Sequence, residues 1–265
     1  MQTLKLNSTG TDVRTLQQYL GITVDGQFGP KTEAAVRKYQ TEHNLVADGI
    51  VGDKTWASIL NTTAPVPIIH KHLGVHITPS KNRPIKYLAI HFTGSSNSKA
   101  GRAQSTYNTF VSRKASADFC VDDHDILQFN PDIRNNYCWA VGDSNYHNNG
   151  GSLYGKATNK NTISIEICST CFSSVKVHVD VANHTGWSFT DAAINNAVAL
   201  ARYLMQTYNI PIENVVRHYD ISGKLCPGIP GWNNEPIYTF NGTKYVRSKE
   251  LSNSNAWQAF KNRLK

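Results

Sequence analysis

Two histidines and a cysteine carry the clearest chemical possibility in this chain. His91 closes an apolar run from Ile85 to Phe92, and His218 directly follows Val215-Val216-Arg217. Both positions read as strand ends, which are rigid and lead into the loops where sites usually form. Cys226 comes eight residues after His218 in His218-Tyr219-Asp220-Ile221-Ser222-Gly223-Lys224-Leu225-Cys226-Pro227-Gly228. Two imidazoles and a thiolate suit Zn²⁺, and three protein ligands leave a fourth position open for water, the pattern of a catalytic zinc. The spacing alone also admits a hydrogen-bonded core histidine and a buried thiol. Cys168-Ser169-Thr170-Cys171 has the C-x₂-C form. The spacings of Cys120 and Cys138 do not extend it to a four-cysteine zinc site, and no thioredoxin-like context marks a redox pair. Buried thiols are the expectation for these four. His70, His72 and His76 read as surface or packing residues.

The elements that must position these side chains follow a mixed α/β pattern. Ile85–Phe92 suits a buried strand, Gln104–Ser112 a helix, and Thr162–Cys168 another strand. Asp118–Val121 and Ile126–Phe129 predict a hairpin across residues 122–125. Thr190 suits the N-cap of a long helix to about Tyr208, with Ile194, Val198, Ala201 and Leu204 inward. A last helix over about Ser254–Leu264 places Trp257, Phe260 and Leu264 at helical spacing, as core residues. The Asn/Gly-rich stretch 145–161 reads as a long loop framing a cleft.

The first 60 residues are different. Asp25-Gly26-Gln27-Phe28-Gly29-Pro30-Lys31-Thr32 is echoed 23 residues later by Asp48-Gly49-Ile50-Val51-Gly52-Asp53-Lys54-Thr55. Each copy predicts a tight Asp-Gly turn running into a helix. Thr11 or Asp12 suits the N-cap of an earlier helix carrying Val13, Leu16 and Leu20. The unit reads as a small helical bundle.

Charge divides the chain the same way. The net charge is +8, yet residues 1–62 hold six basic and six acidic side chains, so the excess lies wholly beyond them. A basic surface points to a polyanion: nucleic acid, an anionic membrane or a cell-wall polymer. Disorder is excluded by 40% hydrophobic and 10% aromatic residues. No apolar run approaches the roughly 20 residues that span a bilayer. Met1–Gly10 holds one lysine and no continuous apolar stretch, so a secretory signal is not expected and synthesis in the cytoplasm is.

Two resemblances sharpen these readings. Val13, Leu16, Gln17 and Leu20, then Val24-Asp25-Gly26-x-Phe28-Gly29-x-x-Thr32, Ala35-Val36-x-x-Tyr39-Gln40 and Asp48-Gly49-Ile50-Val51-Gly52-x-x-Thr55-Trp56 resemble the peptidoglycan-binding type 1 domain. Arg217–Gly228 resembles the zinc-binding stretch of the type 2 N-acetylmuramoyl-L-alanine amidases, which include phage lysozyme-like amidases and the peptidoglycan recognition proteins. Ala89–Gly94 looks like the first zinc-ligand strand of that family, and Asn161–Glu166 like its N-x-SIGIE strand.

The resemblance implies an α/β catalytic domain, a mixed sheet flanked by helices, with a small all-α N-terminal binding domain. It implies one Zn²⁺ per chain on His91, His218 and Cys226, with Glu166 as proton carrier and Lys224 as oxyanion stabiliser. The domain reading is 1–62 for binding, a 63–80 linker region and 81–265 for the zinc amidase. The implied partner is bacterial peptidoglycan, with no nucleic acid and no membrane insertion, in an enzyme that reaches the cell wall at lysis. Oligomeric state is not encoded in any motif. The alternative is a recognition protein that binds without cutting; Cys226, which such binders lack, favours the enzyme. Two departures from the family stand out. Ser116-Ala117-Asp118-Phe119 lacks a frequent Tyr or His, and Trp139-Ala140-Val141-Gly142 has Ala where a His is frequent.

Overall fold

The computed structural model describes residues 2–20, 22–42, 45–59, 68–94, 101–142, 150–171, 182–241, 243 and 245–265. The chain divides into two compact units, Met1–Ala64 and Pro65–Lys265.

The first unit holds three helices, α1 (Thr11–Leu20), α2 (Pro30–Glu42) and α3 (Asp53–Ile59). Pro30 opens α2, where its missing N–H costs nothing. Leu16, Phe28, Val36, Trp56 and Ile59 form the buried core. The sequence repeat is a repeat of hydrogen bonds. Gln17 Nε2 donates to Asp25 Oδ1 and Thr32 Oγ1, while Gly26 N donates to Gln17 Oε1. Gln40 makes the same bonds to Asp48, Thr55 and Gly49. Gly26 and Gly49 sit at φ 76° and 72°, the left-handed region that glycine enters without strain. Each buried glutamine thus satisfies the turn that its own copy folds around.

The second unit is built on a six-stranded mixed sheet of order β1-β5-β4-β7-β3-β10. Its strands and their neighbours run β1 (Ile68–His70), β2 (Ile77–Pro79), β3 (Tyr87–Phe92), α4 (Arg102–Ser112), β4 (Phe119–Val121) and β5 (Ile126–Gln128). Then follow β6 (Asn136–Cys138), β7 (Thr162–Ile167), β8 (Thr170–Cys171), β9 (Trp187–Ser188), α5 (Asp191–Tyr208) and β10 (Val215–Arg217). The unit ends with α6 (His218–Ser222), a β11 (Pro236–Phe240) and β12 (Tyr245–Leu251) hairpin, and α7 (Asn255–Asn262). Strands β4, β7, β3 and β10 are mutually parallel, and β5 pairs antiparallel with β4.

Side chains alternate across the strands. Leu88, Ile90, Ile163 and Ile165 pack with Ala197, Ala201 and Leu204 of α5. On β4, Cys120 falls into a separate cluster with Ala103, Tyr107 and Phe110 of α4. Thr190 Oγ1 accepts from Ala193 N and so caps α5 as its sequence predicts.

The 63–80 linker reading needs correction. Residues 61–67 lie outside the described residues, but Ile68–His70 is an edge strand parallel to β5, and Ile77–Pro79 pairs with β6. Three-residue strands carry too little alternation to be read locally; their partners lie more than 50 residues away in the sequence. Of the 145–161 loop, residues 150–161 are described, as turns ending in a 3₁₀ segment at Asn159–Asn161.

Candidate metal centre

The sheet brings the cluster together. His91 on β3 lies in register with Glu166 on β7. On the other side β10 pairs with β3 through Arg217↔Ile90, so His218, the next residue and the first of α6, emerges beside His91. The chain then turns back, with Tyr219 N donating to Cys226 O at 2.9 Å, which brings the thiol to the two imidazoles.

His91 Nδ1 lies 3.2 Å from His218 Nδ1 and 3.8 Å from Cys226 Sγ. All three donor atoms fall within 4.8 Å of one another and all three residues are buried. Among the described residues this is the one group of three or more such side chains placed to share an ion. Zn–N and Zn–S bonds of about 2.0–2.1 and 2.3 Å give tetrahedral edges of roughly 3.3 Å for N–N and 3.6 Å for N–S. The two spacings measured from His91 Nδ1 fit such edges. Glu166 Oε1 stands 4.0 Å from His91 Nδ1. His91 Nε2, His218 Nε2 and Glu166 Oε2 are buried without a hydrogen-bond partner among the described residues; an ion on the two Nδ1 atoms would leave both Nε2 atoms to other partners, while the free Glu166 Oε2 suits a water held beside the ion.

The electrostatics agree with a cation site. Burial, with Lys224 adding to it, lowers His218 to about 3. Burial and the neighbouring His218 hold His91 well below the usual histidine range. Both rings are therefore neutral and offer lone pairs. Burial pushes the Cys226 thiol up to about 12, with Glu166 acting in the same direction. Burial lifts Glu166 to about 8 against the pull of Lys224. A divalent cation is the partner that would make this thiol and carboxyl anionic.

The cluster floors a cleft of about 370 Å³ whose wall includes Arg102 and Thr109 of α4, Arg113 just past its end, Trp139, and the exposed Lys224. A second cleft of about 550 Å³ shares Trp139, His218 and Lys224 and reaches Lys114 and Tyr137. The two arginines were not singled out in the sequence. Their spacing of eleven residues, three helical turns, is the signal that places them on one face. Ala140 lines the cleft, but Ala117 and Asp118 are wholly buried and take no part in it. Asp118 instead accepts from Arg83 Nη2, Asn130 Nδ2 and Ser164 N. Cys168 Sγ lies 3.7 Å from Cys120 Sγ, and Cys171 Sγ 3.9 Å from His184 Nε2.

Fold and site together define an α/β domain with a buried His-His-Cys donor set beside a carboxylate. The chain belongs to the N-acetylmuramoyl-L-alanine amidase family, whose model matches residues 81–229, more than half of its length. A model described as a putative peptidoglycan binding domain matches residues 9–59. The N-acetylmuramoyl-L-alanine amidase CwlH of Bacillus subtilis is 30% identical over 152 residues, 56% of this chain and 50% of that protein. The zinc D-Ala-D-Ala carboxypeptidase of Streptomyces albus G is 45% identical over 65 residues, 22% of this chain and 26% of that protein. A solved structure of the catalytic domain of XlyA is 26% identical, covering 76% of this chain and 100% of that one, with a TM-score of 0.48. The chain spans about half or less of the length of these two curated relatives.

Proposed function

We propose that this chain hydrolyses the amide between the lactyl group of N-acetylmuramic acid and the L-alanine of peptidoglycan stem peptides, with one zinc ion per chain. The observation that carries the reading is the His91, His218 and Cys226 donor set with Glu166 beside it, in a member of the amidase family. His91, His218 and Cys226 would hold the ion. Zinc, when bound, supplies a Lewis acid that polarises a carbonyl and acidifies water.

The rest falls to the chain's own groups. Glu166 takes a proton from the attacking water and returns it to the leaving amine of L-alanine; its Oε2 has no competing partner among the described residues. Lys224, on the cleft wall, offers a positive charge to the oxyanion that develops at the carbonyl. Burial of the cluster excludes bulk water and strengthens both effects. Residues 1–62 hold the enzyme on the wall, and the second unit, with β1 and β2 included, cuts it. The amidase and peptidoglycan-binding matches support peptidoglycan as partner and the cell wall as the place of action.

Digestion of purified peptidoglycan tests this. New L-alanine amino termini, abolished by a chelator, are the expected products. New reducing sugar ends would overturn the amidase reading. A Cys226→Ser chain that digests walls as fast as its parent would overturn the zinc reading.

A further inference from the structure

The family match ends at residue 229, yet Trp232, Glu235, Ser254 and Trp257 beyond it reach the residues on either side of His218. They grip both neighbours of His218. Arg217 is only 8% exposed. Its Nη1 donates to Trp232 O at 2.7 Å and to Ser254 Oγ at 3.3 Å, and its guanidinium lies 5.5 Å from the centre of the Trp257 ring. Its remaining donors fork onto the carboxylate of Asp220, which also accepts from Arg217 N. On the other side of His218, the Tyr219 hydroxyl donates to Glu235 Oε1 at 2.7 Å. Trp257 is itself fixed, stacked on Phe260 and packed on Trp232.

We propose that the C-terminal segment is a clamp that sets the orientation of the His218 ring, with Arg217 as positioning residue and Trp257 as its backstop. The physical reason is geometric. His218 sits at a strand-to-helix junction, where the backbone could rotate about one residue and swing the imidazole away from His91. Holding residues 217 and 219 from a separate element removes that freedom. An Arg suits the task and a Lys does not, because the planar guanidinium satisfies a carboxylate, a carbonyl and a hydroxyl at once while stacking on an indole. Neither residue touches the donor atoms, so the clamp acts through His218. This inference rests on the metal reading above.

The test measures Zn²⁺ and Co²⁺ dissociation constants of the metal-stripped full chain by competition with a chromophoric chelator, and the Co²⁺ absorption spectrum. Groups that orient a metal ligand typically contribute 10- to 100-fold in affinity. Arg217→Lys and Trp257→Leu are expected to weaken binding in that range and to shift the Co²⁺ bands. Trp257→Phe, which keeps an aromatic face over the guanidinium, is expected to restore most of the affinity. Circular dichroism, run in parallel, identifies chains that fail to fold, and Glu235→Gln probes the Tyr219 side with a smaller change to the core. Parent-like affinity and spectra in folded Arg217→Lys and Trp257→Leu chains, with only a lower Tm, would overturn the clamp while leaving the metal reading intact. A parent chain that binds neither metal, or a His218→Ala chain that binds as tightly as its parent, would overturn the metal reading and the clamp with it.

Discussion

Replacing Asp118 by Asn should be among the costliest single-atom changes in the second unit. Arg83 and Asp118 form an ion pair at 3.3 Å between side chains that are both wholly buried. The carboxylate also accepts from Asn130 Nδ2 at 2.6 Å and Ser164 N at 2.8 Å, tying β4 to β7 two residues from Glu166. Asn keeps the volume but removes the charge and turns one acceptor into an NH₂ that faces donors. The guanidinium keeps its carbonyl contacts to Ile133, Asn159 and Thr162 but loses its anionic partner. Breaking one side of a buried pair costs about 3–5 kcal/mol. A unit of this size loses about 2–4 °C of Tm per kcal/mol. The expected drop is thus roughly 6–20 °C. Arg83→Met should cost less, because the stranded carboxylate keeps two N–H donors. Scanning calorimetry of the full chain, following the transition of the second unit, reads both values. A drop under about 2 °C for Asp118→Asn, well below that range, or a larger loss for Arg83→Met, would refute the reasoning.

Other outcomes follow from the same geometry. Glu166→Gln should lower kcat on peptidoglycan by about 10²–10⁴ with little change in Zn²⁺ content, since it removes a proton carrier and not a ligand; rate assays and metal analysis check this together. Zinc at 100 times its dissociation constant should stabilise the folded chain by about 2.7 kcal/mol, so chelator should lower the Tm of the second unit and leave the first unchanged. Asp25 and Asp48 are held below the usual carboxyl range by the backbone N–H groups of Gln27 and Ile50 and by the side chains of Gln17 and Gln40. The unfolded chain then binds more protons, so this stabilisation is present above about pH 4 and is lost as pH falls through the lowered folded values. Protection factors of the first unit, exchange rates corrected for the intrinsic pH dependence of the amides, should fall with acid in the parent and less steeply in an Asp25→Asn, Asp48→Asn chain.

Much of the architecture was legible because it is written in short local patterns. The apolar runs around Ile90 and Ile165, the N-cap at Thr190 and the repeated Asp-Gly turns each declare an element from a few adjacent residues. The sequence pointed to His91 and His218 because each stands where an apolar run stops. What stayed hidden depends on distant partners. Asp118 read as a lost family residue, and only the fold shows it buried against Arg83, 35 positions earlier. Strand β1 read as linker because its pairing with β5 crosses the whole of α4. Arg217 looked like the polar end of a strand, and nothing local announces that Trp232 and Trp257 enclose it.

The two glutamine turns bear on how the chain comes into being. Their closures span 8 to 15 residues, whereas His91 must meet His218 across 127 positions and Cys226 across 135. Local closures form fast, and distant ones wait on loop entropy. The N-terminal unit also leaves the ribosome first. A nascent chain is therefore expected to complete its first unit while the three donor atoms are still apart, and any ion they hold would be captured late in maturation. Pulse-labelled hydrogen exchange during refolding would read that order directly, with protection at Gln17 and Gln40 preceding protection at His218.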